Sequence, residues 1–492
     1  MPQVTYQALK FDKGMTPKVF DDNSATRIEH FDTITEVLRP FRTLIGSPHN
    51  QGGGVTIQQI ALIGFDIAND IIYGVGMDWS TGVTGAIYKW DTSGFQWTNK
   101  ISFGGTLVPT SMLQSHAGYL FGLQNSRYLY KYNVATDSIV SMTFYDTGAA
   151  FTNGFADAIT HSKDGKMYFM TDNKVHVVDS TGAAGSVALT LPNANFRGTS
   201  LAEQGNYINI VGYDVKTGES SSLLWDRDTS VVDLTESYAL GRDTVVHNTC
   251  LLGTTFAIQV RSDSSNSAFS EKPVIVIKWL NGAKFDTLYE FPVASLTTAV
   301  SLIGAKYTSL DRFYFTAKVQ FNGESSARNI CFCLDYKGRL TIAQNVAINT
   351  GTNAISGVLR NGEAFWFGAG SDGAWNTTTT YTTISSYETN DIRSKDMKMN
   401  IAFRDLIVTC EPLPASGQIL VKMRKNAETT FTTVATLTGT DTEEFSLTHM
   451  KVKNALNGLD KAKKVRIRLE STVGATITGF QAVFDEKAKD TI

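Results

Sequence analysis

Lys166-Met167-Tyr168-Phe169, running on to Val178 before Asp179, is the stretch whose reading decides the fold. Its first part is a β-rich run behind a turn at Asp164-Gly165, and its second closes on an apolar residue followed by an acid. The closing feature recurs as Trp90 before Asp91, Tyr132 before Asn133, Trp225 before Asp226 and Leu334 before Asp335. Trp279 before a Leu-Asn-Gly turn and Tyr387 before Glu388 complete a series of seven. Neighbouring members lie about 42 to 55 residues apart, within or just above the period of a propeller blade.

Working outward, each closing strand has a partner upstream: Asp70–Val75, Gly118–Phe121, Asn206–Ile210, Thr255–Ile258, Arg312–Phe315 and Glu363–Phe367 join Lys166–Phe169. Before these stand shorter runs suited to a central channel, at Ile57–Ile63, Thr110–Ser115, Ala156–Ser162, Thr199–Glu203, Ala299–Ala305 and Ala354–Leu359. Fourth strands follow at Gln96–Phe103, Ser138–Phe144, Val187–Leu191 and Asp286–Phe291, three of them ended by Pro109, Pro192 and Pro292. Four strands per repeat predicts a seven-bladed β-propeller.

The seventh repeat lacks a fourth strand. Thr35-Glu36-Val37-Leu38-Arg39-Pro40-Phe41 reads like Tyr289-Glu290-Phe291-Pro292-Val293, so the N-terminal segment is expected to close the last blade and remove its free edge, closure from the C-terminal region being the alternative. Near Asp391 the pattern changes to six short alternating strands, Ile401–Cys410, Gln418–Arg424, Thr432–Leu437, Glu444–Leu447, Val465–Glu470 and Ile477–Phe484, which predict a β-sandwich. Met450–Lys464 is the one helix-leaning piece. The expected organisation is all-β: an N-terminal arm over 1–32, the propeller over 33–390 with its closing strand at 33–44, and a C-terminal β-sandwich over 391–492.

Composition agrees with an all-β chain: 41 glycines, 11% aromatic residues and only 18% charged residues. A net charge of −3 argues against a surface that binds nucleic acid or anionic membrane as a whole. No apolar run approaches membrane-spanning length, and the segment from Met1 to Thr5 reads as having no signal peptide. Cys250, Cys331, Cys333 and Cys410 are too scattered for a disulfide framework, and the alternation of Cys331 and Cys333 places them on opposite sides of one strand.

Chemistry-bearing patterns are sparse. His116, His161, Glu203 and His247 fall in or beside inner strands, but from different blades and without a shared spacing. No nucleophile elbow, zinc-protease helix or phosphate loop occurs. Gly370-Ser371-Asp372-Gly373-Ala374-Trp375 approximates a turn found in sialidase-type propellers, itself structural, and Asp214–Glu219 reads as a β-turn lacking the ligand alternation of a calcium loop. Lys451, Lys453, Lys461, Lys463 and Lys464, then Arg466 and Arg468, form either a solvated cationic face or a contact for an acidic subunit or nucleic acid. Trp79, Trp97 and Trp375 either pack between sheets or stack on sugars.

The layout resembles tailed-bacteriophage virion proteins in which a propeller precedes a sandwich, the tail nozzle or packaged-DNA-stabilisation proteins and related tail proteins. The resemblance rests on Gly14-Met15-Thr16-Pro17 through Leu38-Arg39-Pro40-Phe41-Arg42, on Phe403–Val408, Ile419–Arg424 and Val434–Gly439, and on Val465–Glu470 leading to Ile477–Gln481. It implies a structural, ring-forming virion protein with no covalent chemistry and no cofactor, placed beside other tail proteins and near DNA in the tail channel. No catalytic, cofactor-binding or metal residue is carried over. The alternatives are a glycan-binding propeller and a glycoside-processing enzyme, the latter needing two carboxylates about 5–10 Å apart in one pocket.

Overall fold

The computed structural model describes residues 3–8, 15, 25–33, 37–44, 59–66, 70–78, 84–94, 96–102, 109–124, 127–150, 157–228, 236–242, 244–252, 254–261, 274–292, 303–308, 311–319, 328–346, 357–368, 374–381, 383–394, 399–439, 444–448 and 462–487. Among them every regular element is a strand. The chain divides into two units, one made of residues 45–329 and 347–376, the other of 1–44, 330–346 and 377–492.

The first unit has a β-propeller arrangement. Five consecutive four-stranded antiparallel sheets follow the chain in order. They begin at the inner strands Gln59–Asp66, Pro109–His116, Asp157–Thr160, Phe196–Gln204 and Thr244–Leu252. Ile303–Thr308 and Arg312–Val319 pair to begin a sixth blade. A three-stranded sheet of Gly357–Asn361, Ala364–Gly368 and Ala374–Asn376 follows. Inner strands touch their neighbours in chain order, and Gly357–Asn361 touches Gln59–Asp66, so the ring closes. Aromatic side chains fill the seams: Trp366 packs edge-on against Trp90 at 4.6 Å and Trp97 at 6.0 Å between ring centres, and Trp225 meets Tyr168.

The acid that follows each closing strand has a physical task. Asp179 Oδ1 accepts the backbone N–H groups of Thr181 at 2.9 Å and Ala183 at 3.0 Å, while Oδ2 accepts that of Ala184 at 2.7 Å. Asp91 and Asn133 hold the equivalent turns through Ser93 and through Ala135 and Thr136. A short acceptor side chain satisfies the turn's donors, letting the strand reverse within a few residues. The Thr181 hydroxyl, first, and these N–H groups hold the Asp179 carboxyl down to about 2.

Three expectations are corrected here. Tyr387 does not close a blade: Ser385–Thr389 pairs with Ala25–Glu29 and Lys464–Thr472 in the second unit. Tyr387 is buried there, bonded through its hydroxyl to Tyr6 at 3.1 Å and set edge-on to Phe480, and these long-range partners outweigh the local pattern. The residues from Val37 to Phe41 likewise belong to the second unit, where Arg39–Pro40 pairs with Phe31–Asp32 and Leu38 bridges Ile477. The N-terminal chain does pair beyond the Ala374–Asn376 strand, with Thr378 donating to the Thr43 carbonyl at 2.7 Å and Thr43 to that of Thr380 at 2.9 Å, but at Thr43–Leu44. Pro109 opens an inner strand, although the sequence places it at the end of an outer one.

The second unit contains two larger sheets beside the two-stranded pair of Phe31–Asp32 and Arg39–Pro40. One has the order Gln3–Ala8, Ile477–Lys487, Asn400–Cys410, Glu444–Thr448. The other includes, in order, Arg328–Asp335, Leu340–Val346, Ala25–Glu29, Ser385–Thr389, Lys464–Thr472, Gln418–Lys425 and Thr432–Thr438. Tyr6 and Phe480 of the first meet Tyr387 of the second. The segment expected as an arm thus supplies two paired strands, Gln3–Ala8 against Ile477–Lys487 and Ala25–Glu29 against Ser385–Thr389. Most of the expected helix lies outside the described residues, and Lys464 begins a strand.

Candidate functional site

Of the expected polar residues, the propeller unit brings two together. His161 and Glu203, from adjacent blades, approach to 4.0 Å, and Asp164 stands 3.9 Å from the same Nδ1. That nitrogen accepts the Lys163 N–H at 3.2 Å, while Arg227 and the Tyr168 hydroxyl each donate to Asp164 at 2.7 Å. Glu203 in turn accepts the Ser162 hydroxyl and N–H. Every carboxylate here is engaged in tying loops of neighbouring blades. His116 performs a similar task, with its Nε2 at 2.8 Å from the Asp179 carbonyl. His247 lies on the Thr244–Leu252 strand, its side chain outside the described residues.

Trp97 and Trp375 are buried and cannot stack on a sugar as they stand, and Trp79 lies outside the described residues. All four cysteines are buried thiols outside any disulfide, with burial pushing the Cys250 thiol upward. In Asp214–Glu219, Asp214 accepts the N–H groups of Lys216 and Thr217, the geometry of a plain turn. Of the Gly370–Trp375 motif only Ala374 and Trp375 are described, on a strand. Among the described residues no group of three His, Cys, Asp or Glu side chains is set to hold a metal ion.

Sequence spacing gave no sign of the cluster on the propeller axis. Lys306, from the sixth inner strand, reaches past the fifth to Asp157 on the third and Ser200 on the fourth. Its ammonium donates to the Asp157 carboxylate, to Ser200 Oγ at 2.5 Å and to the Leu201 carbonyl at 2.9 Å. Ser200 donates to Asp157 at 2.8 Å and receives the Thr249 N–H at 3.2 Å. An ammonium has three donors, and all three are occupied. Ser200 is fully buried, and its oxygen is occupied by the Lys306 ammonium and the Thr249 N–H.

The second unit carries a cationic ladder. Along Lys464–Thr472, Val465, Ile467 and Leu469 point into the core, while Lys464, Arg466, Arg468 and Glu470 share the opposite face, as a period of two requires. Lys422 and Arg424 stand beside them on Gln418–Lys425. Arg424 and Arg466 are direct cross-strand neighbours, an unfavourable like-charge pair. Buried Glu388 offsets it, accepting from Arg424 at 3.1 Å, Arg466 at 3.1 Å and Arg468 at 2.7 Å. Asp391 adds Lys464 at 2.9 Å and a close contact with Arg466, and the Arg424 and Arg468 guanidiniums lie over Phe431 at 4.7 and 4.1 Å. Burial lowers the Arg424 pKa, and its cationic neighbours Arg466 and Arg468 push the same way. Lys463, Lys464, Arg466 and Arg468 of the expected basic run are thus described, whereas Lys451, Lys453 and Lys461 are not.

No protein-family model and no curated protein sequence matches the chain. Among solved structures, the computationally designed Ika8 protein is similar at 13% identity and a TM-score of 0.39, over 68% of this chain and 99% of that one. Raptor of Chaetomium thermophilum is similar at 10% identity and a TM-score of 0.44, over 68% of this chain and 28% of that one. The chain therefore spans less than a third of the length of Raptor.

Proposed function

We propose that the protein is a structural component of a bacteriophage virion, a ring-forming tail nozzle, tail-tip or tail-adaptor protein that performs no covalent chemistry. In this reading the three-stranded Gly357–Asn376 sheet is a seventh blade, and the two larger sheets of the other unit form a β-sandwich completed by N-terminal strands. The protein is made in the host cytoplasm and built into virions beside other tail proteins, as a homo-oligomeric ring near the DNA path.

The observation that carries the reading is the cluster on the propeller axis. Lys306, Asp157 and Ser200 spend their polar groups on one another, as a scaffold requires and as an open catalytic mouth does not. Arg227, Asp164, Glu203 and Ser162 do the same at the turns of the third and fourth blades. A propeller locked in this way presents surfaces for neighbours, and a ring needs two different surfaces per subunit. Mass spectrometry of purified virions tests the proposal: the protein is expected in multiple copies, and virions that lack it would refute the assignment.

A further inference from the structure

Charge is divided unequally between the two units. Residues 45–329 and 347–376 hold 20 lysines and arginines against 26 aspartates and glutamates, a net of −6. The remainder holds 24 against 21, a net of +3. Part of that positive charge is gathered on one sheet face. Lys422, Arg424, Lys464, Arg466 and Arg468 share three carboxylates, Glu388, Asp391 and Glu470, in the ladder's ion pairs among the described residues.

Cations crowded on one sheet face repel one another, and each long side chain loses freedom when ordered. The guanidiniums are nonetheless held in place, three on Glu388 and two of those over Phe431. Lys464 keeps 41% of its side chain exposed and Arg468 30%, so the donors remain within reach of a partner. Donors ordered in advance lose less entropy when an anionic surface arrives.

We propose that this cationic ladder is a docking surface for the acidic propeller unit of a second copy of the chain. The inference rests on the ring reading and names the surfaces through which the ring forms. One face of one unit engages a different unit of the neighbour, the head-to-tail contact that closes into a ring or continues as a filament. Complementary charge sets register and speeds encounter, and its effect falls with added salt.

The test uses the full chain, half of it labelled with 15N, and a zero-length carbodiimide that joins lysine to carboxylate only on contact. Mixed-isotope cross-links are expected from Lys464 and Lys422 to carboxylates within 45–329. Sedimentation velocity should show self-association weakened about tenfold or more by Lys464→Glu with Lys422→Glu, and similarly by raising salt from about 50 mM to about 500 mM. Lys464→Gln with Lys422→Gln, which leaves Glu388 and its arginines intact, should show a smaller loss in the same direction. Self-association unchanged in both double variants would overturn the docking surface and leave the ring reading standing. A wild-type chain that stays monomeric at every salt concentration would instead count against the ring reading itself. Cross-links confined to carboxylates of 377–492 would also overturn the proposal. So would unchanged assembly together with salt-dependent binding of a duplex oligonucleotide that the glutamate variant loses, the partner then being nucleic acid.

Discussion

The two units solve the same problem, burying one face of a sheet, by opposite routes. In the propeller unit each complete blade is one uninterrupted stretch of chain, such as Met167–Thr171, Lys174–Val178 and Gly185–Thr190 joined by turns of a few residues. In the other unit neighbours come from far apart: Gln3–Ala8 lies against Phe480–Asp485, and Arg27 stands opposite Glu388. Local pairing writes itself into the sequence as a repeat, because every blade needs the same turn chemistry at the same place. Distant pairing leaves no period, since a strand's partner is selected by packing on a surface that exists only once the chain has folded.

That contrast can be broken or sharpened by substitution. The largest effect is expected at Tyr6, which stacks on Phe480 and bonds to Tyr387. Tyr6→Ala should destabilise its unit by ~3–5 kcal/mol, the range for removing a buried aromatic ring. Hydrogen exchange should rise along Ile477–Lys487 and Ser385–Thr389 and stay unchanged in the blades; equal loss of protection throughout would show that the two sets of strands are not energetically separable.

An intermediate effect is expected from acid. Burial holds His176, in the propeller unit, down to about 3 and His30, in the other, down to about 4, from an ordinary 6.5. Both stay neutral when folded and gain a proton when unfolded, so their contribution is complete above about pH 6.5 and is lost as pH falls toward the folded values. His176→Gln should remove roughly 2–3 kcal/mol of the acid destabilisation between pH 7 and pH 4. The relief should be read by hydrogen exchange in the blades alone, and His30→Gln should give the mirror result. A slope that neither variant changes would place the acid lability elsewhere.

The smallest effect tests the turn signature. Asp179→Ala removes the acceptor for three backbone N–H groups and should cost about 1 kcal/mol, as loss of a capping side chain does. The change in urea midpoint should be local to the third blade. A change within error would mean that the strands hold the turn without its acid.

The same contrast accounts for what could be read beforehand. The strands around Tyr168, Ile208, Phe256 and Tyr314 lie where the period predicts, and so do those of the last hundred residues, because alternation reports a half-buried strand whatever its partner. Tyr387-Glu388 carries the closing pattern equally well and still belongs to the other unit, for an aromatic followed by an acid is also what a strand shows when one face meets Phe480 and the other meets arginines. The axial cluster was illegible: nothing in the spacing of Asp157, Ser200 and Lys306 says that three inner strands point at one place.

By itself, then, the sequence determined that the chain is all-β, where most of its strands and turns fall, and that the blades repeat, since these follow from side-chain alternation and turn chemistry within a few residues. Only the tertiary structure decided which unit the N-terminal strands join, that Lys306 ties the sixth inner strand to the third and fourth, and that five cations gather on one sheet face around three carboxylates. Those outcomes depend on strand register and on the ring's geometry, which bring together residues that the chain keeps far apart.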